Sequence, residues 1–356
     1  MTAVPDGWRG AFTTAPRSRF TPGRIHDGTR WIDRHAEPDR WQDLVDSDTP
    51  LTVQLDDGRD GPDGTPTSSN SMPAVVAAML DQLDVADGHR VLEIGTGTGW
   101  TAGLLAARLG GRQVTTIEID PRLAAAAQAR LAGLGLRPRV VTGDGMLGDP
   151  DGAPYDRVHA TAAVRRVPRA WIEQTAPGGV IVVPFGTPYC NGALLRLVVA
   201  EDGKSASGRF VGDAAFMWVR SQRPDARPAP AGEVRRSASA ISPEAAQESH
   251  AVAFAIGLRL PGVFTRQVWA EADPWGTGRS EVWDAAGSFA WCRYADWDAP
   301  HAVGQAGPRS LWEEVTAARR WWEERGRPGV TRLGLTVGVD GEHRAWLDEP
   351  EDCWPV

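Results

Sequence analysis

Arg90-Val91-Leu92-Glu93-Ile94-Gly95-Thr96-Gly97-Thr98-Gly99-Trp100 decides the fold. An apolar run with the reading of a buried strand breaks at three alternating glycines and passes into a helix. Only glycine lets a backbone turn that tightly while baring its N–H groups to a ligand. A second strand, Val114-Thr115-Thr116-Ile117-Glu118-Ile119-Asp120, brings the carboxylate of Glu118 twenty-three residues after Gly95. That is the distance at which a βαβ unit offers an acid to the hydroxyls of a ribose. The pair predicts a nucleoside-cofactor site.

Around it the chain divides into three. Residues 1–70 are polar, rich in Pro, Asp and Trp and weakly periodic, and read as a lid or substrate segment, not a core. A short helix is expected at Trp8–Phe12 and a brief strand at Thr52–Leu55, before the turn-forming run Asp56–Gly64. Residues 71–223 alternate apolar strands with amphipathic helices, the mark of an α/β doubly wound sheet. Helices are expected at Pro73–Leu83, Trp100–Leu109, Arg122–Leu134 and Pro168–Gln174. The intervening strands are Arg90–Ile94, Gln113–Ile119, Arg139–Thr142, Tyr155–Thr161 and Gly178–Pro184, with Leu194–Val199 and Phe210–Val219 as a terminal antiparallel pair. Pro224–Pro230 reads as a linker. Residues 231–356 carry ten of the sixteen tryptophans and read as an additional C-terminal α+β domain. Its expected elements are strand-like runs at Val252–Leu260, Glu281–Tyr294 and Leu333–Val339 and a helix at Ser310–Arg325.

Composition narrows the partners. With 356 residues, 42% apolar and 24% charged, the chain can bury a full core, and its net charge of −8 argues against nucleic acid. Cys190, Cys292 and Cys353 give neither a disulfide framework nor a zinc knuckle, which fits a reducing compartment. The N-terminus has no basic segment followed by an apolar run, and no stretch of about 18 apolar residues occurs, so a cytoplasmic location without membrane contact is expected. The scattered histidines suggest no metal site.

The cofactor residues can be read individually. A dinucleotide fingerprint wants GxGxxG, whereas Gly95-Thr96-Gly97-Thr98-Gly99 has glycine at every second position and Glu93 before it. This spacing suits a cofactor without a pyrophosphate, such as S-adenosyl-L-methionine, with Glu93 on its amino group and Gly95 and Gly97 offering close backbone approach. Glu118 would accept from the ribose diol, with Ile119 beside it. Gly143-Asp144-Gly145 after the next strand would meet the adenine amino group. The plain alternatives are a ligand-free glycine turn, a solvated strand-end acid and an ordinary turn.

Together these residues resemble the protein-L-isoaspartate O-methyltransferase family. The likeness runs from Phe12 to about Arg223, through Ala15–Pro22, Thr67-Ser68-Ser69-Asn70-Ser71-Met72-Pro73, Val91–Trp100, Gly143-Asp144-Gly145, Ala153–Arg157 and Pro177–Val180. It implies a Rossmann-like class I methyltransferase fold and transfer of a methyl group to a carboxylate. In that family a Thr-Ile-Ser-x-Pro segment lies beside the substrate carboxylate. Its serine falls on Ser71, its threonine on Ser69 and its isoleucine on Asn70, with Ser68 adjoining. Hydroxyls holding one carboxylate oxygen would leave the other free to attack; alternatively the serines cap the helix at Pro73, and both can hold. A carboxylate with a pKa of about 4 needs no general base at neutral pH, so positioning carries the reaction, worth about 7 to 11 kcal/mol at best.

Two departures bear on the substrate. Where the family usually has small residues and a proline, this chain has Arg165 and Arg166, which would pair with an acidic peptide or else form a solvated flank. The chain also continues more than a hundred residues past the sheet. That extension resembles actinobacterial relatives that methylate an aspartate of a ribosomally made, cyclised peptide, the ester then closing to an aspartimide. Trp291, Trp297, Trp312, Trp321, Trp322 and Trp346 would then grip a peptide substrate, or fill the domain's own core. Repair of isoaspartyl damage is the alternative role, and a peptide-binding module with a vestigial cofactor fold is the alternative class.

Overall fold

The computed structural model describes residues 4–59, 64–224, 232–269, 271 and 278–356. Part of the Asp56–Gly64 run and all but Pro224 of the Pro224–Pro230 linker lie outside the described residues. The chain divides into two compact units: residues 1–162, 167–184 and 196–207 form one, and residues 163–166, 185–195 and 208–356 the other.

The first unit is built on five parallel strands. Val91–Ile94 lies centrally, with Val114–Glu118 and then Arg139–Thr142 on one side and Tyr155–Ala160 and then Thr175–Gly186 on the other. The direction of winding reverses between Val91–Ile94 and Tyr155–Ala160. In open α/β sheets a ligand crevice opens at such a switch point, beyond the carboxyl ends of the strands. The sheet is buried because its strands are apolar throughout; Val91, Leu92, Val158, Ile181 and Val182 expose nothing. Helices Pro73–Leu83, Trp100–Leu109 and Pro121–Gly133 connect or flank the strands. Asp120 caps the third by accepting from the Arg122 and Leu123 amides, and Pro121 occupies the first helical position.

Residues before the sheet form more than a cover. Trp31–Asp33, Arg24–His26, Leu51–Leu55 and Pro66–Asn70 make a four-stranded antiparallel sheet. Ile25, Ile32, Leu51, Trp41 and Val45 pack into a buried cluster, the last two from helix Pro38–Asp46. Strands of three to five residues are too short for alternation to register in sequence, which is why the segment reads as coreless.

The second unit holds a five-stranded antiparallel sheet in the order Arg235–Ser237, Val303–Ala306, Phe289–Arg293, Arg279–Trp283, Phe264–Val268. Leu333–Val337, His343–Leu347 and Cys353–Pro355 pair antiparallel. Helix Leu311–Glu324 matches its expected position, whereas Val252–Leu260 is not a strand. It is helix His250–Arg259, started by Ser249 accepting from the Val252 amide at 3.3 Å. A continuous apolar run fits a buried helix as well as a strand, and here Val252, Phe254, Ala255, Ile256 and Leu258 are all interior. Glu281–Tyr294 breaks into two strands at Asp284–Ser288. Trp291, Trp312, Trp322 and Trp346 are buried, and three of their indole nitrogens bond inside the unit, to Ser239 Oγ (Trp312), Pro328 O (Trp322) and Thr336 Oγ1 (Trp346). These four fill a core; Trp297 and Trp321 are half-buried. Among the described residues no helix is long and apolar enough to cross a membrane.

Candidate active site at the glycine turn

Past Ile94 the chain takes φ angles of +93° at Gly95, +54° at Gly97 and +90° at Gly99, a region costly to any residue with a Cβ. The Gly95 and Thr96 amides both donate to Ile117 O, at 2.9 and 3.1 Å, so the turn lies across the end of the neighbouring strand. A Cβ on Gly99 would lie 3.0 Å from Ala127 Cβ in helix Pro121–Gly133, so this glycine lets two helices approach closely, whereas the third glycine of a GxGxxG motif packs helix on strand.

Gly97 lies between the two halves of the expected site. Its amide donates to Glu118 Oε2 at 2.8 Å, and a Cβ on it would meet Ser68 Oγ at 3.7 Å and Ser69 O at 3.8 Å. Glu118 is buried, and the Asp120 amide donates to its other oxygen at 3.0 Å. Two amide donors fix the carboxylate's plane while leaving acceptor capacity. Gln54, from strand Leu51–Leu55, donates to Asp120 Oδ2 at 2.8 Å and ties the first sheet to this corner. Ile119 follows with 40% of its surface exposed, unusual for an isoleucine and suited to lie against a flat apolar ligand face.

Glu93 exposes no surface, and its Oε2 accepts from Thr116 Oγ1, which in turn meets Thr96 Oγ1 at 2.6 Å. Oε1 is buried without a hydrogen-bond partner among the described residues, with the Ala102 amide near the carboxyl. Burial pushes this carboxyl up to about 8, the Thr116 bond and the Ala102 amide opposing and the neighbouring Glu118 charge adding to the rise. A buried acceptor lacking a donor is costly, and the ammonium of an amino-acid moiety would supply one. The residues fit S-adenosyl-L-methionine in this respect. His159, in register with Glu93 on the next strand, is also buried, and burial holds its imidazole down to about 4, hence neutral. Thr98 is buried, and its carbonyl accepts from Arg130 at 3.2 Å.

Gly143-Asp144-Gly145 reaches the same end of the sheet, the Gly143 amide donating to Glu118 O at 2.9 Å. Asp144 is exposed and accepts from the Met146 amide at 3.0 Å, starting a single 3-10 turn.

Ser68, Ser69 and Asn70 stand on strand Pro66–Asn70, with Ser71 directly after it. They do not cap the following helix. Met72 occupies the cap position without a side-chain bond, and the Ala74 amide is taken by Asp48 Oδ1 at 2.8 Å. None of the three serine hydroxyls has a partner among the described residues. Asn70 is buried, its amide group donating to Thr21 Oγ1 at 3.0 Å while Oδ1 has no hydrogen-bond partner among the described residues.

Arg165 and Arg166 belong to the second unit. Both amides donate to Gln222 Oε1, at 2.6 and 2.9 Å, and the Arg166 guanidinium reaches Gly341 O and Val356 O at 3.2 and 3.3 Å. Sequence reasoning missed Thr116 and Gln54, whose partners at the site lie far along the chain, and His159, which strand register sets beside Glu93. Asp120 was missed too, although Asp before Pro is a helix-start signal that could have found it.

The protein-L-isoaspartate(D-aspartate) O-methyltransferase family model matches residues 11–221. The protein-L-isoaspartate O-methyltransferase of Methylorubrum populi is 45% identical over 147 residues, 41% of this chain and 68% of that protein. The protein of the same name from Xanthobacter autotrophicus is 44% identical over 38% of this chain and 61% of its own length, and that from Pyrococcus horikoshii 36% over 46% and 70%. The matches thus span about two thirds of the relatives' own lengths. A solved structure of a protein-L-isoaspartate O-methyltransferase superposes with a TM-score of 0.53 at 19% identity, covering 97% of this chain and 96% of the other, a likeness of fold. The chain belongs to the protein-L-isoaspartate(D-aspartate) O-methyltransferase family and is an S-adenosyl-L-methionine-dependent carboxyl O-methyltransferase.

Proposed function

We propose that this chain methylates an isoaspartyl-type side-chain carboxylate in a protein or peptide. The observation that carries the reading is Gly97, whose amide holds Glu118 while Ser68 Oγ lies 3.7 Å from the position of its missing Cβ. Cofactor acid and substrate hydroxyls thus flank one glycine. Glu93 would take the amino group, Glu118 the ribose, Ile119 and Gly143–Gly145 the adenine, with Thr96 and Thr98 completing the wall. S-adenosyl-L-methionine supplies an electrophilic methyl group on a sulfonium sulfur. The protein's part is to hold a carboxylate already ionised at neutral pH, Ser71 and Ser69 donating to one oxygen so that the other faces the methyl carbon. Ser71 acts as a positioner, not a nucleophile.

A narrower reading has the substrate as an aspartate of a cyclised, ribosomally made peptide, the ester supplying a leaving group for closure to an aspartimide. It is favoured by the stretch beyond residue 221, where the family match stops. Against it, the solved isoaspartate methyltransferase matches this chain over nearly its whole length, so an extension does not by itself mark that role. Arg165, Arg166 and the C-terminal unit as peptide contacts belong to this proposal. Turnover on an unstructured isoaspartyl peptide, its aspartyl counterpart and a ring-closed aspartyl peptide separates the readings. Methyl ester on the isoaspartyl peptide alone supports the general reading; ester on the ring-closed peptide alone supports the narrower one; none on any overturns both.

A further inference from the structure

Arg17 is a heavily engaged buried cation of the first unit. With 7% of its surface exposed, it donates to four main-chain carbonyls: Val45 O at 3.1 Å and Ser47 O at 3.0 Å from one nitrogen, Thr49 O at 2.6 Å and Asn70 O at 3.0 Å from the other. The first two lie at the end of helix Pro38–Asp46, where carbonyls lack helical partners and a cation is favoured. Asn70 O is the carbonyl immediately before Ser71. The guanidinium also stands 5.7 Å from the ring of Trp100, the first residue of the glycine-turn helix, whose indole donates to Ala15 O at 3.0 Å. One side chain therefore touches both the serine strand and the helix that the glycine turn begins.

The serine strand needs such a restraint. Pro66–Asn70 is the outer strand of its sheet, and its pairing with Leu51–Leu55 shifts register twice, between Thr52 and Gln54 and between Gln54 and Leu55. Beyond Asn70 the pairing ends, just where Ser71 must be aimed. Thr21 reinforces the same point, accepting from the Asn70 side chain and donating to Arg17 O at 3.0 Å. Only a planar guanidinium has enough donors to span these carbonyls; a lysine ammonium has three, on a point charge.

We propose that Arg17 is a positioning residue for methyl transfer, holding Ser69 and Ser71 in place against the glycine turn through Asn70 O. The role rests on the carboxyl-methylation reading above. It acts on turnover and not on cofactor affinity, because the residues assigned to the cofactor make none of the bonds to Arg17.

The test measures kcat on an isoaspartyl peptide and the dissociation constant of S-adenosyl-L-homocysteine by calorimetry, in the full chain and in Arg17→Lys, Arg17→Met and Thr21→Val. A displacement near 1 Å costs about 100-fold in rate. Arg17→Met is expected to lose about that in kcat, Arg17→Lys less, and Thr21→Val roughly 3- to 10-fold, each with cofactor affinity within about 2-fold of the parent. Unchanged kcat in Arg17→Lys and Arg17→Met overturns the proposal, as does a fall in kcat matched by lost cofactor binding. Should both Arg17 variants fail to fold, Thr21→Val decides: a selective loss of kcat supports the role and an unchanged kcat overturns it. No transfer by the parent chain, with cofactor still bound, would instead remove the functional reading and this role with it.

Discussion

The Gly97 amide donates to Glu118 Oε2 at 2.8 Å, joining the glycine turn to the acid that ends the next strand. With the Asp120 amide on the other oxygen, Glu118 is aimed before any ligand arrives, so binding does not have to order it. On the proposed reading, replacing Glu118 by alanine removes the acceptor for the ribose hydroxyls, and it frees the Gly97 and Asp120 amides. Affinity for S-adenosyl-L-homocysteine is expected to fall about 10- to 100-fold, with Glu118→Gln losing less because an amide oxygen still accepts; titration calorimetry reads both.

Gly97 and Gly99 should respond differently to alanine. At Gly99 the added Cβ meets Ala127 at 3.0 Å in a backbone with φ +90°, so strain and overpacking combine to destabilise the fold by about 2 to 4 kcal/mol. At Gly97 the space is ordinary, the nearest atom being 3.7 Å away, and φ is +54°, so the expected cost is about 1 kcal/mol. Gly97→Ala should therefore fold and yet bind cofactor poorly, because the methyl group enters the gap toward Ser68. Denaturant melts beside calorimetric titrations distinguish the two.

Glu93 makes stability depend on pH. In the unfolded chain it ionises near its ordinary value of 4.5, and in the fold near about 8. Below the lower value both states hold the proton and the contribution is intact. As pH rises toward the upper value the unfolded chain releases its proton first, so stability is lost across that window. Glu93→Gln cannot ionise, and its unfolding free energy relative to the parent, read from denaturant melts, should climb between about pH 5 and pH 8 by on the order of a few kcal/mol. A pH-independent difference would show that Glu93 is charged in the unliganded fold.

Ser71→Ala is expected to fold normally, since its hydroxyl bonds nothing among the described residues. Its kcat should drop about 10- to 100-fold with S-adenosyl-L-homocysteine affinity intact, and Ser69→Ala should show the same pattern more weakly. Equal losses in kcat and cofactor affinity would mean that the serines serve the cofactor.

What was legible in the sequence follows from range. The glycine turn, Glu118 and the strand–helix alternation are local patterns of apolar period and turn chemistry, and the parallel sheet has the expected strands. Of the sheet of residues 24–70 only the strand at Thr52–Leu55 was legible, because its other strands are short and its stabilising cation, Arg17, meets its partners 28 to 53 residues away. Helix His250–Arg259 was misread because a run apolar up to Arg259 carries no clear period, and Ser249 ahead of it was the sign of a helix start. The tryptophans of the second unit carried no sign of whether they faced inward; four of the six singled out do.

A crystal structure with S-adenosyl-L-homocysteine tests the central claim most directly. The account predicts the ribose hydroxyls on Glu118, the amino group at Glu93 Oε1, and the Ser71 hydroxyl turned toward the sulfur. A nucleoside bound away from the glycine turn, or Ser71 facing away from the sulfur, would contradict it.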